Sequence, residues 1–227
     1  QKVTRIYDVP DRKIFVDSGA WTAFTCNAKI NIDEYIWYLN QNVGKFTVIA
    51  PLDVLPSGIE DADKCAEESW NNFIYMRTHM IDKDKLIAVY HQNEPTEHLI
   101  RMLTYEDEYG KIDYIGLGAL ANTLDYKTRD FFIKKCFDLI LKYNSTIKVH
   151  AFGMTDLNLL ELYPFTSADS STYTMAAGMG ELITKFGRIP ISYERKDRIR
   201  KDSIQGELLD NYIKDLGFDF DILASSR

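Results

Sequence analysis

The chain is short of cysteine, proline and histidine. Its 227 residues include 3 Cys, 6 Pro and 4 His. Cys26, Cys65 and Cys136 are odd in number, widely scattered and without a C-x-x-C pair. That usage argues against a disulfide framework or a zinc-binding cysteine set and points to a reducing, cytoplasmic compartment. No apolar run reaches the roughly 18 residues of a membrane span, so no membrane partner is expected. A signal-peptide pattern is also lacking. The first residue is Gln1 rather than Met, so the true N-terminus is expected to be missing or processed. Basic residues are in deficit too, 27 Lys and Arg against 34 Asp and Glu, for a formal net charge of -7. Nucleic-acid binders usually carry a basic excess, so such a partner would have to meet a local patch. Repeats, low-complexity segments and linkers are lacking, and residues 1–227 read as one domain.

What is present is an alternation of short apolar runs with longer amphipathic ones. Strands are expected at 13–17, 46–53, 86–91, 114–119, 147–153, 165–169 and 188–193. They are apolar on successive residues, as in a parallel sheet covered on its outer face. Helices are expected at 32–42, after Asn31 as N-cap, and at 62–80, 94–109, 126–144, 155–163, 174–182 and 206–217. Repeated strand–helix units imply α/β. Two architectures compete, a TIM (β/α)8-type barrel, irregular or incomplete, and an open doubly wound sheet. Polar residues at the ends of many strands, rather than at one switch point, favour the barrel.

Three of those strands end on acids: Asp17 after KIFV, Asp53 after VIAPL and Asp169 after FTSA. In a barrel they would share one mouth. An aspartate after an apolar run is partly desolvated, which raises its pKa, and neighbouring like charges raise it further. Converging carboxylates can then divide roles between nucleophile, proton carrier and hydrogen-bond acceptor. The plainer alternative is that each is a turn residue or helix cap, and one of Ser170, Ser171 and Thr172 is expected to cap the helix after Asp169.

Around Asp17, Ser18 and Gly19 allow a sharp turn. Trp21 offers a face for stacking on a heterocyclic base, or else plugs the core beneath the loop. His91 and Gln92 end one strand and His150 lies within another, each able to meet a ring nitrogen or carbonyl; a lone histidine is more often a satisfied core residue than a ligand, and for His150 the two readings weigh evenly. His79 and His98 fall on helices and are expected at the surface. Gly116 and Gly118 would leave backbone free to press on a planar ligand. Arg195, Lys196 and Arg198 belong to the one basic run, which either holds a phosphate backbone or is a solvated face. No metal site or cofactor is expected.

DSGAW (17–21) resembles the DSGG-plus-aromatic motif of the tRNA-guanine transglycosylases, the queuine and archaeosine tRNA-ribosyltransferases. VHAFGMTDLNLLELYPFTSADSSTY (149–173) resembles their H-x-x-G strand, the helix after it and the strand ending in an aspartate. APLDV around Asp53 and VYHQ around His91 fall between them in the family's order. The resemblance implies Asp169 as nucleophile on C1′ of a guanosine and Asp17 as general acid/base. It implies Trp21 as the stacking residue, Asp53 as acceptor of the base's N1–H and exocyclic amine, and His91 in the place of a base-reading glutamine, with Gln92 adjacent. Ser18, Gly19, Gly116, Gly118 and His150 would complete the base pocket.

The family's zinc site needs cysteines after the nucleophile, and none follows Cys136. A shorter, zinc-free chain is similar to the phage and bacterial enzymes that insert 7-deazaguanines into DNA. The expected activity is therefore replacement of guanine in a nucleic acid, DNA in preference to tRNA, by a 7-deazaguanine such as preQ0. The expected partners are that polymer and the free base, with a homodimer allowed, in the cytoplasm of a bacterial or phage-infected cell. The alternatives are an N-glycoside hydrolase of a free nucleoside or nucleotide, and a purine-like ligand-binding protein without turnover.

Overall fold

The computed structural model describes residues 13–118, 120, 125–179, 181–184, 187–190 and 214. The expected helix at 206–217 apart from residue 214, the second half of the run 188–193 and the basic residues Arg195, Lys196 and Arg198 lie outside the described residues.

The first strand, β1 (Phe15–Val16), is followed by the short helix α1 (Ala20–Thr25) and by α2 (Ile32–Gln41). Next come β2 (Val48–Ile49), α3 (Ala62–His79), β3 (Ala88–His91) and α4 (Thr96–Thr104). A small antiparallel hairpin, β4 (Glu106–Asp107) and β5 (Gly110–Lys111), precedes β6 (Tyr114–Gly118). The chain continues through α5 (Tyr126–Tyr143), β7 (Lys148–Ala151), α6 (Leu157–Leu162), β8 (Ser167–Ala168) and α7 (Ser171–Met179). It ends, as described, in a second antiparallel hairpin, β9 (Glu181–Thr184) with β10 (Gly187–Pro190).

The protein is α/β, and its centre is the four-stranded parallel sheet β3-β6-β7-β8. A parallel pair, β1 with β2, joins that sheet through a parallel bridge from Ile49 to Leu86. Read across, these strands follow chain order without the reversal a doubly wound sheet contains. They do not lie flat. The Phe15 ring of β1 sits 4.4 Å from His150 of β7 and 5.6 Å from Phe152, centroid to centroid. Four strand spacings in a flat sheet would separate β1 from β7 by about 19 Å. The strand array therefore curls until its first member reaches the inner face of β7.

Local chemistry sets the helices. The Asn31 side chain accepts from the amides of Asp33 and Glu34 at 2.9 and 3.3 Å, capping α2 as expected. Asp125 and Asp156 cap α5 and α6 in the same way. Ser170 Oγ accepts from Thr172 N at 3.1 Å at the start of α7. Ala66, Trp70, Phe73 and Arg77 recur at helical spacing on α3 and face inward. Trp70 and Phe73 build the core with Leu99 of α4, Ile133 of α5 and Leu117 of β6.

Three expectations need correction. The run 94–109 is not one helix: α4 stops at Thr104 and the chain turns into β4–β5. Arg77 fixes that hairpin by a two-pronged bond to Asp107, at 2.8 and 3.0 Å, and a third to the Gly110 carbonyl at 2.9 Å. The strand expected over 46–53 stops at Ile49, because Pro51 has no amide to donate. His98 is buried rather than at the surface, its Nε2 2.6 Å from Asp63 Oδ1 and its Nδ1 2.8 Å from Arg101.

Candidate active site

Asp17 directly follows β1 and Asp169 directly follows β8, so the curl of the strands brings both to one end. Asp53 reaches the same region by another route. Residues 50–54 are extended and pinned to α3 by side chains: Asn72 Nδ2 donates to Leu52 O at 2.9 Å, and Val54 N donates to Ser69 Oγ at 2.8 Å. The three acids feel one another. The charge of Asp169 raises Asp17, and the charge of Asp17 raises Asp53. Tyr35, whose hydroxyl donates to Ala50 O at 3.0 Å, is raised by both Asp17 and Asp53 after the larger effect of burial. Sequence reasoning expected all three in one mouth with Trp21; Asp17 lies near enough to feel Asp169 and to act on Asp53.

The surroundings of the acids differ. Asp169 Oδ1 accepts from Gly153 N at 3.1 Å and lies 3.3 Å from His150 Nε2. Its side chain is 61% exposed. Partial burial would raise its pKa, but the His150 and Gly153 hydrogen bonds more than offset that and hold it below the ordinary carboxylate value. The upward shift expected from its position after an apolar run is thus reversed. Asp17 is raised, first by desolvation and also by Asp169, against hydrogen bonds from the Ser18 and Gly19 amides. Asp53, with 12% of its side chain exposed, is pushed up to about 7, chiefly by burial. Its Oδ2 is 3.5 Å from His91 Nε2, while Oδ1 is buried with no hydrogen-bond partner among the described residues.

Two histidines stand behind these acids. His91 Nδ1 is 2.9 Å from Glu94 Oε1, whose side chain is only 2% exposed. Burial alone would lower the His91 pKa, but the Glu94 hydrogen bond and the charges of Asp53 and Glu94 raise it. His150 is 2% exposed. Its Nδ1 is 2.6 Å from Ser167 Oγ, and Ser167 Oγ is 2.6 Å from the Tyr114 hydroxyl. Phe15 and Phe152 pack on the His150 ring, each with a centroid separation of 4.4 Å.

The glycines of β6 make room for this arrangement. Gly118 is the register partner of His91, and a Cβ there would overlap the imidazole. A Cβ at Gly116 would overlap the Phe152 ring. Rings of the protein itself therefore cover these two glycines, where the sequence suggested backbone open to a planar ligand. Gly19 turns the chain into α1 at φ +75, as its place after Asp17 implied. Ser18 Oγ accepts from Ala20 N at 3.4 Å. Trp21 is 66% exposed on α1 and stacks on Phe24, so it is not a core plug. Gln92 is half-buried just past β3.

No protein-family model matches this chain, and no curated protein matches it. The likeness of its motifs to the guanine transglycosylases therefore stands on the residues alone.

Four polar partners were missed: Glu94, Gly153, Ser167 and Tyr114. The H-x-x-G spacing from His150 was the available signal for Gly153. Glu94 was hidden as a first-turn acid of the expected helix. Among the described residues no group of three or more His, Cys, Asp and Glu is arranged to hold a metal ion. No helix there is long and apolar enough to cross a membrane.

Proposed function

We propose that this protein is a base-exchange glycosyltransferase that replaces guanine in a nucleic acid by a 7-deazaguanine such as preQ0. The observation that carries the reading is geometric: Asp17 and Asp169 follow β1 and β8 close enough for their charges to act on one another, and Asp169 Oδ1 is held by His150 Nε2 and the Gly153 amide while Oδ2 is left for a sugar carbon. Retaining exchange at an N-glycosidic carbon needs such a pair. Asp169 attacks C1′ through Oδ2, and the C1′–N9 bond breaks with its electron pair leaving on guanine, which takes the Asp17 proton. The incoming base gives a proton back to Asp17 and attacks C1′, and the Asp169–sugar bond breaks. The lone Oδ1 of Asp53 suits the N1–H or exocyclic amine of either base. Exposed Trp21 offers a stacking face for a base out of its stack.

The fold reading belongs with this one. Parallel strands in chain order, curled so that β1 meets β7, support a (β/α)8-type barrel with the acids at its mouth. DNA is preferred to tRNA on the sequence pattern alone.

The test is exchange of labelled guanine out of DNA and tRNA. Asp169→Asn should lower the rate by about 10⁴-fold or more, as loss of a nucleophile does. Undiminished exchange in that variant ends the assignment. The net charge of -7 favours a second reading, hydrolysis of a free nucleoside or nucleotide. Free sugar released with no base incorporated would select it.

A further inference from the structure

The geometry points to His150 as a positioning residue for Asp169, held in its neutral Nε2–H tautomer by the Ser167 hydroxyl. The inference rests on the proposed base exchange only for its catalytic consequence. Several observations carry it. His150 is almost wholly buried, and both ring nitrogens already face protein atoms. An ionised Asp169 can only accept, so Nε2 is the nitrogen that donates to it. A neutral ring must then accept at Nδ1, so Ser167 donates there at 2.6 Å and in turn accepts from the Tyr114 hydroxyl. The chain runs in one direction, from Tyr114 through Ser167 and His150 to Asp169.

Rings on two sides fix the imidazole in plane: Phe15 lies tilted against it and Phe152 edge-on. The charged groups facing this assembly are Asp169 itself and Asp17. Gly153 N–H supplies a second donor to the same oxygen. With Oδ1 doubly held and the side chain largely exposed, Oδ2 is the oxygen left for an incoming electrophile. A neutral donor orients the carboxylate without forming a tight ion pair that would blunt its nucleophilicity.

The experiment uses the full chain labelled with ¹⁵N-histidine and ¹³C-aspartate, with His150→Gln and Asp169→Asn spectra for assignment. Long-range ¹H–¹⁵N correlation at neutral pH should show His150 protonated at Nε2 and bare at Nδ1, and Ser167→Ala should mix the tautomers. A protonated Nδ1, either as the other tautomer or as imidazolium, would overturn the inference. The Asp169 carboxyl titration should move up in His150→Phe, which keeps the ring packing but not the donor, and return in His150→Gln, whose amide can donate. An unchanged titration in folded His150→Phe would also overturn it. Should both variants fail to fold, the wild-type tautomer decides. None of these readouts needs substrate, so the tautomer and titration can hold in a protein that exchanges no base. That result would remove the proposed function and leave the positioning role standing.

Discussion

The two histidine–aspartate pairs of this molecule look alike and behave oppositely. Each imidazole points Nε2 at an aspartate and has its Nδ1 held from behind. Behind His150 stands a hydroxyl, Ser167; behind His91 stands a buried carboxylate, Glu94. The aspartates differ in step. Asp169 is open to solvent, doubly hydrogen-bonded and lowered; Asp53 is enclosed, has one oxygen unpartnered and is pushed up to about 7. What lies behind each ring, and how much water reaches the acid, separates a carboxylate lowered by hydrogen bonds from one raised by burial.

The back partners offer the strongest way to break that comparison. Glu94→Gln removes the charge facing a buried His91 and should cost about 2–3 kcal/mol in urea unfolding at neutral pH. Ser167→Ala removes a neutral hydroxyl and should cost about 1 kcal/mol. Equal losses would mean that the Glu94 carboxylate acts as one more neutral hydrogen bond. The gap should widen between about pH 7 and about pH 5, where Asp53 is neutral and Glu94 is left to offset the His91 proton.

Much of this site was legible because acids after apolar runs are rare enough to notice. Asp17 and Asp169 directly follow short strands and Asp53 follows the extension of another, as their apolar lead-ins suggested. Local chemistry was legible as well: Asn31 and Ser170 cap the helices that follow them. What escaped depended on distant partners. The β4–β5 hairpin is hidden within a helical-looking run because Arg77, 30 residues upstream, holds it. Helix α1 buries no residue, so it leaves no periodic signature. Gly116 and Gly118 read as open backbone, since no rule of spacing reveals that Phe152 and His91 lie across them. The roles of the histidines escaped for the same reason: what a ring nitrogen does depends on Ser167 and Glu94, not on its own neighbours in sequence.

A pH series sharpens the contrast. Folded Asp53 keeps its proton up to about 7, whereas its ordinary value is 3.8, so the folded state binds more protons in that window. Stability must fall as pH rises through it. His91 adds to the fall: its raised pKa gives stability that is full below 6.5 and lost as pH climbs through the folded value. Asp169 has the opposite sign, since its lowered pKa gives stability present above 3.8 and lost only as the solution becomes more acid. The urea midpoint of the wild type should therefore drop between about pH 5 and about pH 8, and Asp53→Asn should flatten that drop while Asp169→Asn leaves it. Parallel curves for the wild type and Asp53→Asn would show that burial does not hold the Asp53 proton.

The smallest effect tests where the Asp169 chain stops mattering. Tyr114 lies at the far end of it, half-buried, with its hydroxyl 2.6 Å from Ser167 Oγ. Ser167 needs an acceptor only at His150 Nδ1 to orient its proton, and water can replace Tyr114 as donor to Ser167. Tyr114→Phe should therefore cost no more than about 0.5–1 kcal/mol in unfolding. Base exchange, if it is the activity, should change by less than about threefold, because less than about 0.7 kcal/mol reaches the transition state. A drop as large as that of Ser167→Ala would mean that the hydroxyl pair acts as a unit, with the tyrosine rather than the serine setting the proton order along the chain. A Ser167→Ala, Tyr114→Phe double-mutant cycle separates the two cases: near-zero coupling means the hydroxyls act independently, and coupling comparable to the single losses means they act as a unit.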